Sequence, residues 1–295
     1  MITVCGEGLI DLVPTSTAPL APLQPALGGG PFNVAIAAAR LGAPTRFLSR
    51  LSNDAFGEAL VGRLREEQVD ISLVQRGPEP TTLAVTSLGI DGSASYTFYT
   101  EGTADRYIEP DMGLQTGIAC FGTCSLALEP GASRYAELLR TLSDSGAFIA
   151  LDPNIRPFYA TAAHHKFLHA LLPYVTLLKL SDEEVEFLGP SDVPARVITR
   201  GAQGLRVEAR GMLIDVPSPP VTVQDTIGAG DTIMGALLAQ IELYGGADPR
   251  QFIADLTADQ WRELLQYAAT AAAITCSRVG ANPPTRSEVD HTLEI

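Results

Sequence analysis

Stretches typical of buried strands alternate with helical stretches along most of the chain, and this alternation constrains the fold more than any other feature. Near the start, a β-branched run, a helical run, a second short strand and an amphipathic helix follow one another. They are "ITVCGEGLIDLV", "NVAIAAARLGA", "TRFLSRLS" and "DAFGEALVGRLREEQV". The first run predicts a single central strand, and Asp54 is the expected N-cap of the amphipathic helix. Such alternation implies a parallel sheet covered by helices on both faces.

The middle of the chain interrupts this alternation. "TTLAVTSLGIDGSASYTFYT" consists of two β-rich runs about Asp91-Gly92, a dipeptide that strongly favours a hairpin turn. The interruption predicts a separate small sheet, with the Pro-rich segment "PTSTAPLAPLQPALGGG" beside it. We therefore predict one α/β domain over residues 1–295 with a discontinuous β lid formed by residues 12–26 and 82–107.

Charge and cysteine content limit which binding partners and which cellular location are expected for this chain. The net charge of −14 and the lack of a long basic stripe argue against nucleic acid and against an anionic membrane. No run reaches the ~18 apolar residues of a membrane span, and the N-terminus lacks the basic region of a signal peptide. The four cysteines form no CxxC pair, which favours buried thiols over disulfides or zinc ligands. We expect a cytoplasmic protein.

The stretch "DTIGAGDTIMGALLA" sets a small-residue turn directly against an apolar helical run. The backbone amides of Gly228, Ala229 and Gly230 could converge on an anion, and the following helix adds its positive dipole end. Asp231 would be electrostatically favourable at such a helix start. The same pattern also fits an ordinary loop with an Asp cap, and it is not a Walker A loop because no Gly-Lys-Ser/Thr ends it.

Further features point in the same direction. "GGGPFNVAIAAARLGA" is a second glycine turn before a helix, and its Asn33 could present an amide to hydroxyl groups. "GEGLIDLVP" carries Asp11, an acid that is unusual in a buried strand unless it contacts a ligand. "VITRGAQGLRV" holds Thr199, Gly201 and Gly204 in a turn between strands. Taken singly, each also fits a simple helix start or hairpin.

Together and in this order, these segments resemble the ribokinase-like sugar kinases, the PfkB family of carbohydrate kinases. The most specific matches to the two family signatures are "DTIGAGDTIMGAL" and "GGGPFNVAIAAARLGAPTRFLSRLSNDAFG". Similarity to bacterial fructokinases lies in "SYTFYTEGTADR", "LDPNIRP", "LLKLSDEEVEFL" and "SRVGANPPT". The resemblance implies a ribokinase-like three-layer sandwich with a central, mostly parallel sheet and a small β-sheet lid.

The resemblance also implies roles for the glycine turn. Asp231 would be the base that accepts the proton of the sugar hydroxyl, and the amides of Gly228, Ala229 and Gly230 would form an anion hole around the transferring phosphoryl group. Phosphoryl transfer depends mainly on positioning and charge neutralisation, and such a turn can supply both without a lysine. We expect the pKa of Asp231 to be low because the helix N-terminus favours the carboxylate.

The other matched positions divide between sugar and nucleotide. Asp11, Gly29, Gly30 and Asn33 correspond to sugar-binding positions of the family, and Phe98 would cover the sugar as part of the lid. Arg156 matches an arginine near the substrate and the phosphates; a salt bridge in a surface loop is the alternative. The positions that fall where the nucleotide lies are Lys179, Ser181, Thr199, Gly201 and Gly204.

Cation sites follow from the same resemblance. The Asn-x-x-Glu motif of the family is present as Ser181 to Glu184, so Glu184 keeps the acid that orders magnesium-bound waters while Ser181 replaces the Asn. The backbones of Asp225 and Ile227, with residues 275–280, match a monovalent-cation site that would take K⁺. ATP and Mg²⁺ are the expected co-substrate and metal.

The leading hypothesis is an ATP-dependent fructokinase that makes fructose 6-phosphate. A 2-keto-3-deoxygluconate kinase is the nearest alternative, and a nucleoside kinase is a weaker one because nothing in the hairpin is shaped for a base. A sugar-responsive binding protein without catalysis is the alternative from another class, although Asp231 would then have no purpose. We expect a homodimer through the lid, since a lone hairpin is unstable in water.

Overall fold

The computed structural model describes residues 1–18, 20–88 and 94–294, and it contains a large and a small β-sheet. Within these residues the strands are, in chain order, β1 (Ile2–Cys5), β2 (Leu9–Pro14), β3 (Leu23–Gly28), β4 (Thr45–Ser52), β5 (Val74–Gly77), β6 (Leu83–Leu88), β7 (Ala94–Tyr99), β8 (Ile118–Gly122), β9 (Phe148–Asp152), β10 (Leu177–Ser181), β11 (Ala195–Thr199), β12 (Leu205–Ala209) and β13 (Met212–Val216).

The helices alternate with these strands over much of the chain. They are, in chain order, α1 (Gly30–Arg40), α2 (Ala55–Glu66), α3 (Gly131–Asp144), α4 (Ala162–His169), α5 (Asp182–Leu188), α6 (Ala229–Tyr244), α7 (Pro249–Asp255), α8 (Ala258–Cys276) and α9 (Arg286–Leu293). Asp54 caps α2 as predicted, because its carboxylate accepts a hydrogen bond from the amide of Gly57 at 2.7 Å.

The large sheet has the strand order β13-β12-β11-β10-β9-β8-β1-β4-β5. Every pair from β11 to β5 is parallel, and β12 and β13 extend the sheet as antiparallel strands at one edge. The predicted mostly parallel sheet is therefore confirmed. In such a sheet the carboxyl ends of the strands share one edge, where α/β proteins usually bind ligands.

Two helical layers cover the large sheet, as alternate residues of β8 show. Ile118 and Cys120 point into one apolar cluster, which includes residues of α1, α6 and α8. Ala119 and Phe121 point into the other cluster, which includes residues of α3. Because successive side chains of a strand face opposite sides, the sheet lies between two cores, and the predicted three-layer sandwich is confirmed.

The small sheet has the order β3-β2-β6-β7, with antiparallel outer pairs and a parallel pair between β2 and β6. The prediction of one central strand over the opening run is wrong, since that run supplies β1 to the large sheet and β2 to the small one. Gly6 breaks the run: its φ is +147°, and a Cβ atom there would lie 2.3 Å from a ring carbon of Pro31.

The strands of the small sheet differ from the predicted lid segments at their ends. The first segment is longer than predicted, because β2 begins at Leu9 and β3 ends at Gly28. The second segment is shorter, because Ala104–Tyr107 form a 3₁₀ turn outside this sheet. Ala104 and Asp105 are buried in that turn, which contacts β4 and α3 of the main body. The predicted hairpin turn at Asp91 and Gly92 lies outside the described residues.

Two expectations from composition can be compared with the structure. Among the helices of the described residues, none is long and apolar enough to cross a membrane. The cysteines carry free thiols, as expected, with Cys5, Cys120 and Cys124 buried and Cys276 partly exposed.

Candidate active site

The turn "GAGD" begins α6 and exposes its first amides. Gly228 is the N-cap residue and has a left-handed backbone conformation with a φ of +76°. A Cβ atom at Gly228 would lie 2.7 Å from the Cβ atom of Ala281, so conformation and space both require glycine. Ala229 and Gly230 follow as the first helical residues, whose amides have no partner within the helix, although the Ala229 amide donates a long hydrogen bond of 3.3 Å to the backbone oxygen of Thr226. This helix start is suited to bind an anion.

Asp231 lies in the first turn of α6 and is only 8% exposed. Its Oδ2 accepts a hydrogen bond from the side-chain amide of Asn33 at 2.8 Å. Burial raises the pKa of Asp231 to about 6, although Asn33 and the cations Lys179 and Arg156 favour the carboxylate. The expectation of a low pKa is therefore wrong, because desolvation outweighs the stabilisation at the helix start.

The second glycine turn places Asn33 opposite Asp231. Gly29 is the N-cap of α1 with a φ of +109°, and a Cβ atom there would lie 2.7 Å from the backbone oxygen of Glu7. At Gly30 a Cβ atom would lie 2.5 Å from the Cγ2 atom of Thr123. Because α1 packs closely on α6, this turn faces the start of α6 across a narrow gap.

A cavity of about 340 Å³ opens between the two glycine turns and the small sheet. Six of the residues predicted to contact the sugar or its proton line this cavity: Asp11, Gly29, Gly30, Asn33, Phe98 and Asp231. The cavity is thus a chamber for a small polar molecule, with the Asp231 carboxylate in its wall.

Asp11 projects from the middle of β2, where it pairs with Ala26 and Ala84 of the neighbouring strands. Burial raises its pKa to about 6, and the positive charge of Arg156 partly opposes this rise. A Cβ atom on Gly28 would lie 2.1 Å from the Oδ2 atom of Asp11. Gly28 therefore leaves the space that the carboxylate occupies, a role that the sequence did not indicate.

A second cavity of about 440 Å³ adjoins the first and shares part of its wall. The shared residues are Asn154, Arg156, Lys179 and Gly230. Arg156 is exposed, and among the described residues no carboxylate lies within 4 Å of its guanidinium group. The salt bridge considered as the alternative for Arg156 is thus not formed with any described residue, and its charge faces the two cavities.

The wall of the second cavity includes the start of α5. Ser181 is the N-cap of α5 and forms a capping box with Glu184, whose Oε2 accepts a hydrogen bond from the Ser181 amide at 2.7 Å. The Oε1 atom of Glu184 accepts a hydrogen bond from the amide of Ile155 at 2.6 Å. Thr199, at the end of β11, also lines this cavity. Glu184 is thus held rigidly, and it is 8% exposed.

Of the remaining predicted positions, Ile227 lines the first cavity, whereas Gly201, Gly204 and Asp225 lie away from the walls of both cavities. Gly201 and Gly204 form the turn between β11 and β12, with positive φ angles of +53° and +90°, and they do not line either cavity. The Asp225 carboxylate accepts hydrogen bonds from the amides of Ile227 at 3.0 Å and Gly280 at 2.8 Å. This carboxylate therefore joins the two segments that were predicted to form a monovalent-cation site.

Several cavity residues were not identified from the sequence. Glu7 is 2% exposed, lines the first cavity and accepts a hydrogen bond from the Thr123 hydroxyl at 2.6 Å. Asn154 follows β9 and has a φ of +45°, and its backbone oxygen accepts a hydrogen bond from the Tyr159 hydroxyl. Position at the carboxyl end of a strand is the signal that could have indicated Glu7 and Asn154.

A lysine also stands beside the glycine turn. The sequence assigned no lysine to this turn, but Lys179 reaches it from β10, and a Cβ atom on Gly230 would lie 3.4 Å from the Nζ atom. The site thus combines the amides of a helix start, a buried ammonium group and an exposed guanidinium group along the wall that the two cavities share. Such an arrangement can bind a strongly anionic group next to the Asp231 carboxylate.

Comparison with known proteins identifies the fold and the family. A fructokinase of Rhizobium leguminosarum bv. trifolii is 37% identical over 271 residues, covering 85% of this chain and 82% of its own. The crystal structure of fructokinase with bound ATP from Xylella fastidiosa has a TM-score of 0.89 at 26% identity and covers 99% of this chain and 98% of its own.

A fructokinase of Vibrio cholerae O395, solved with fructose, ADP and calcium ion bound, has a TM-score of 0.82 at 25% identity, covering 98% of this chain and 97% of its own. The model of the pfkB family carbohydrate kinases matches residues 1–288. This match covers both glycine turns and the residues that line the cavities beside them. The chain therefore belongs to the pfkB family of carbohydrate kinases.

Proposed function

We propose that the protein is an ATP-dependent fructokinase that transfers the γ-phosphoryl group of ATP to fructose, giving fructose 6-phosphate. The observation that carries this proposal is the buried Asp231 carboxylate in the wall of the first cavity, directly after the glycine turn. The relatives named fructokinases support fructose as the acceptor, and the ATP-bound relative supports ATP as the donor.

In the proposed mechanism Asp231 accepts the proton of the attacking hydroxyl. Its pKa of about 6 leaves it mostly ionised at neutral pH, yet makes it a better base than an exposed aspartate. Asn33 donates to Oδ2 and so fixes the carboxylate, which leaves Oδ1 to meet the hydroxyl. A Cβ atom at Gly30 would lie 3.5 Å from that Oδ1, so glycine keeps this space open.

The transferring phosphoryl group would lie on the amides of Gly228, Ala229 and Gly230, with the Ala229 amide exchanging its 3.3 Å hydrogen bond to the Thr226 oxygen for one to a phosphoryl oxygen. The dipole of α6 favours negative charge there, and Arg156 and Lys179 add full positive charges from the shared wall. Asp11, Gly29, Gly30, Asn33 and Phe98 would bind and cover the sugar in the first cavity. Excluding water from this chamber would limit wasteful hydrolysis of ATP.

The nucleotide would lie on the side of the second cavity, along Lys179, Ser181 and Thr199, with Gly201 and Gly204 in the adjoining turn. Both Glu184 oxygens accept backbone hydrogen bonds, which fits a role in holding magnesium-bound water better than direct ligation. When bound, Mg²⁺ would neutralise phosphate charge. The backbone carbonyls of Asp225 and Ile227 would hold a monovalent cation such as K⁺.

A coupled ADP-release assay over a sugar panel tests the function. Fructose should give the highest kcat/KM. If 2-keto-3-deoxygluconate is preferred, the fructokinase assignment fails while the kinase assignment stands, and Arg156 in the cavity wall is the residue we would assign to the substrate carboxylate. If no acceptor releases ADP above background, the proposed function is wrong and the alternative of a sugar-binding sensor gains support.

The pH dependence should show an acid limb. Because Asp231 must be ionised to act as base, its protonation alone should lower kcat/KM about tenfold per pH unit as the pH drops below the pKa of about 6. The pH profile of kcat should also show an acid limb, set by the pKa of Asp231 in the substrate complex. The pKa of Asp11 is also about 6, and protonation of Asp11 should weaken sugar binding. The fall of kcat/KM with decreasing pH should therefore reflect two protonations and be steeper than a fall caused by one. In Asp11→Asn, kcat should still fall at acid pH, because that fall is assigned to Asp231. A kcat that stays flat between about pH 8 and pH 5 would contradict the base assignment.

We further propose a homodimer formed by the small sheets of two copies. Tyr99 and Leu23 lie on the face opposite the cavity and are 59% and 44% exposed, which leaves apolar surface to cover. Light scattering at micromolar concentration should report a dimer, and Tyr99→Lys should give a monomer. Tyr244→Lys, at an equally exposed tyrosine on α6, should not. A monomeric wild type would refute this proposal.

A further inference from the structure

Asp152 and Lys179 form a buried ion pair beneath the shared wall of the two cavities. The Nζ atom of Lys179 lies 2.8 Å from Oδ2 of Asp152, and the side chains are 6% and 4% exposed. They are neighbours because β9 and β10 run in parallel with Leu178 opposite Leu151, so that the next residue of each strand is adjacent at the carboxyl end.

The two members of the pair face different spaces. Lys179 lines both large cavities and lies against Gly230 of the glycine turn. Asp152 lines neither; it borders a small pocket below them, together with Gly30 and Thr123. Only Lys179 can therefore touch a molecule bound in the large cavities. Asp152 acts through its direct contact with Lys179, while its charge also reaches Asp231 and Glu184 at longer range.

The pair is costly to bury. Burial raises the pKa of Asp152 to about 7, although the neighbouring ammonium group lowers it. Within the described residues neither oxygen of Asp152 has a well-aligned hydrogen-bond donor. Burial alone would lower the pKa of Lys179, but the carboxylates of Asp152, Glu184 and Asp231 raise it above its ordinary value. Buried ion pairs are often no more stable than apolar residues of similar size, so stability does not explain this one.

We propose that Asp152 is a positioning residue that holds the Lys179 ammonium group beside the glycine turn, where it stabilises the phosphoryl group during transfer. This inference rests on the proposed kinase function. The helix amides supply only partial charges, whereas Lys179 supplies a buried ammonium group that stays a hydrogen-bond donor even though Asp152 offsets part of its charge. Without Asp152 the ammonium group would lose its nearest partner and its fixed position.

The test compares Lys179→Met, Asp152→Asn and the double variant. Loss of one preorganised charge at a transferring group typically costs about 10²–10³ fold, so kcat of Lys179→Met should fall by about that factor. Asp152→Asn should lower kcat by at least about tenfold. The double variant should match Lys179→Met within about threefold, because the direct contact of Asp152 is with Lys179 and the effect of its charge on Asp231 is smaller. The KM for fructose should change little in all of these variants.

A binding measurement separates this role from a structural one. Affinity for ADP and for the non-hydrolysable β,γ-methylene analogue of ATP should be measured by calorimetry with Mg²⁺. Lys179→Met and Asp152→Asn should lower the affinity for the analogue more than the affinity for ADP, since only the analogue carries the third phosphate. The control is Glu67→Gln, which breaks a partly buried ion pair with Arg40 on α1 and should leave kcat and both affinities unchanged.

Several results would overturn the proposal. Wild-type kcat in Lys179→Met, additive losses in the double variant, or an unchanged ratio of the two affinities would each do so. If Asp152→Asn does not fold, Asp152→Ser takes its place in the comparison, since it also removes the carboxylate. Kinetics should use the best acceptor of the sugar panel, and the nucleotide affinities do not depend on that acceptor. An inactive wild type would refute the kinase function, whereas an active one with unaffected variants would refute only this inference.

Discussion

Replacement of Asp231 by Asn is expected to lower kcat by about 10²–10⁴ fold while both substrates still bind. Asparagine keeps the size of the side chain and can still accept the hydrogen bond from Asn33, but it has no basic oxygen for the hydroxyl proton. ATP affinity should hold or rise slightly, because one negative charge beside the γ-phosphate disappears. Initial rates at saturating substrates, with binding measured by calorimetry, test this result.

The same substitution should stabilise the fold at neutral pH. A carboxyl whose pKa is raised on folding costs stability above the folded value, and the cost vanishes below the unfolded value. A rise from 3.8 to about 6 corresponds to about 3 kcal/mol. Urea unfolding should therefore show a gain in the free energy of unfolding for Asp231→Asn near about pH 8, and the gain should disappear near about pH 4.

A matched control separates catalysis from helix capping. Asp54 also lies at a helix start, where it caps α2, and it is away from both cavities. Asp54→Asn should retain wild-type turnover. Turnover of folded Asp231→Asn within about threefold of wild type would show that Asp231 is only a favourable charge at the start of α6, and the proposed mechanism would fail.

The layered fold could be predicted from sequence because its signals are local. β-branched runs, amphipathic helices and the Asp54 cap each depend on neighbours within a few residues, and the structure retains them. The split of the opening run between two sheets was missed because it depends on the contact of Gly6 with Pro31. A glycine in a β-rich run does not reveal which distant residue will approach it.

The electrostatics of the site could not be predicted, since they depend on burial produced by distant segments. Asp231 and its partner Asn33 are 198 residues apart, and the pKa of Asp231 rises because α1 closes over the start of α6. Lys179 and Asp152 likewise meet only through the register of β9 and β10. Sequence motifs indicated many of the residues that line the two cavities, whereas packing sets the pKa values of those that titrate.

Replacement of Gly228 by Ala should lower kcat by about 10²–10³ fold, the loss typical of removing oxyanion donors. A φ of +76° costs a residue with a Cβ atom about 1–2 kcal/mol, and the Cβ would also lie 2.7 Å from that of Ala281. The glycine turn must therefore move away from the segment that contains Ala281. The amides of Ala229 and Gly230 would then no longer point at the phosphoryl group. Initial rates at saturating ATP and fructose measure the effect.

Gly62→Ala is the control for this substitution, since Gly62 lies inside α2 with no atom within 4 Å of an added Cβ. Alanine there should raise stability by about 0.5–1 kcal/mol and leave kcat unchanged. In Gly228→Ala the loss of kcat should exceed any loss explained by unfolding, because the strain is located where the phosphoryl charge must be held. If folded Gly228→Ala keeps kcat within about threefold of wild type, the helix amides do not carry that charge, and the cations Lys179 and Arg156 must do so instead.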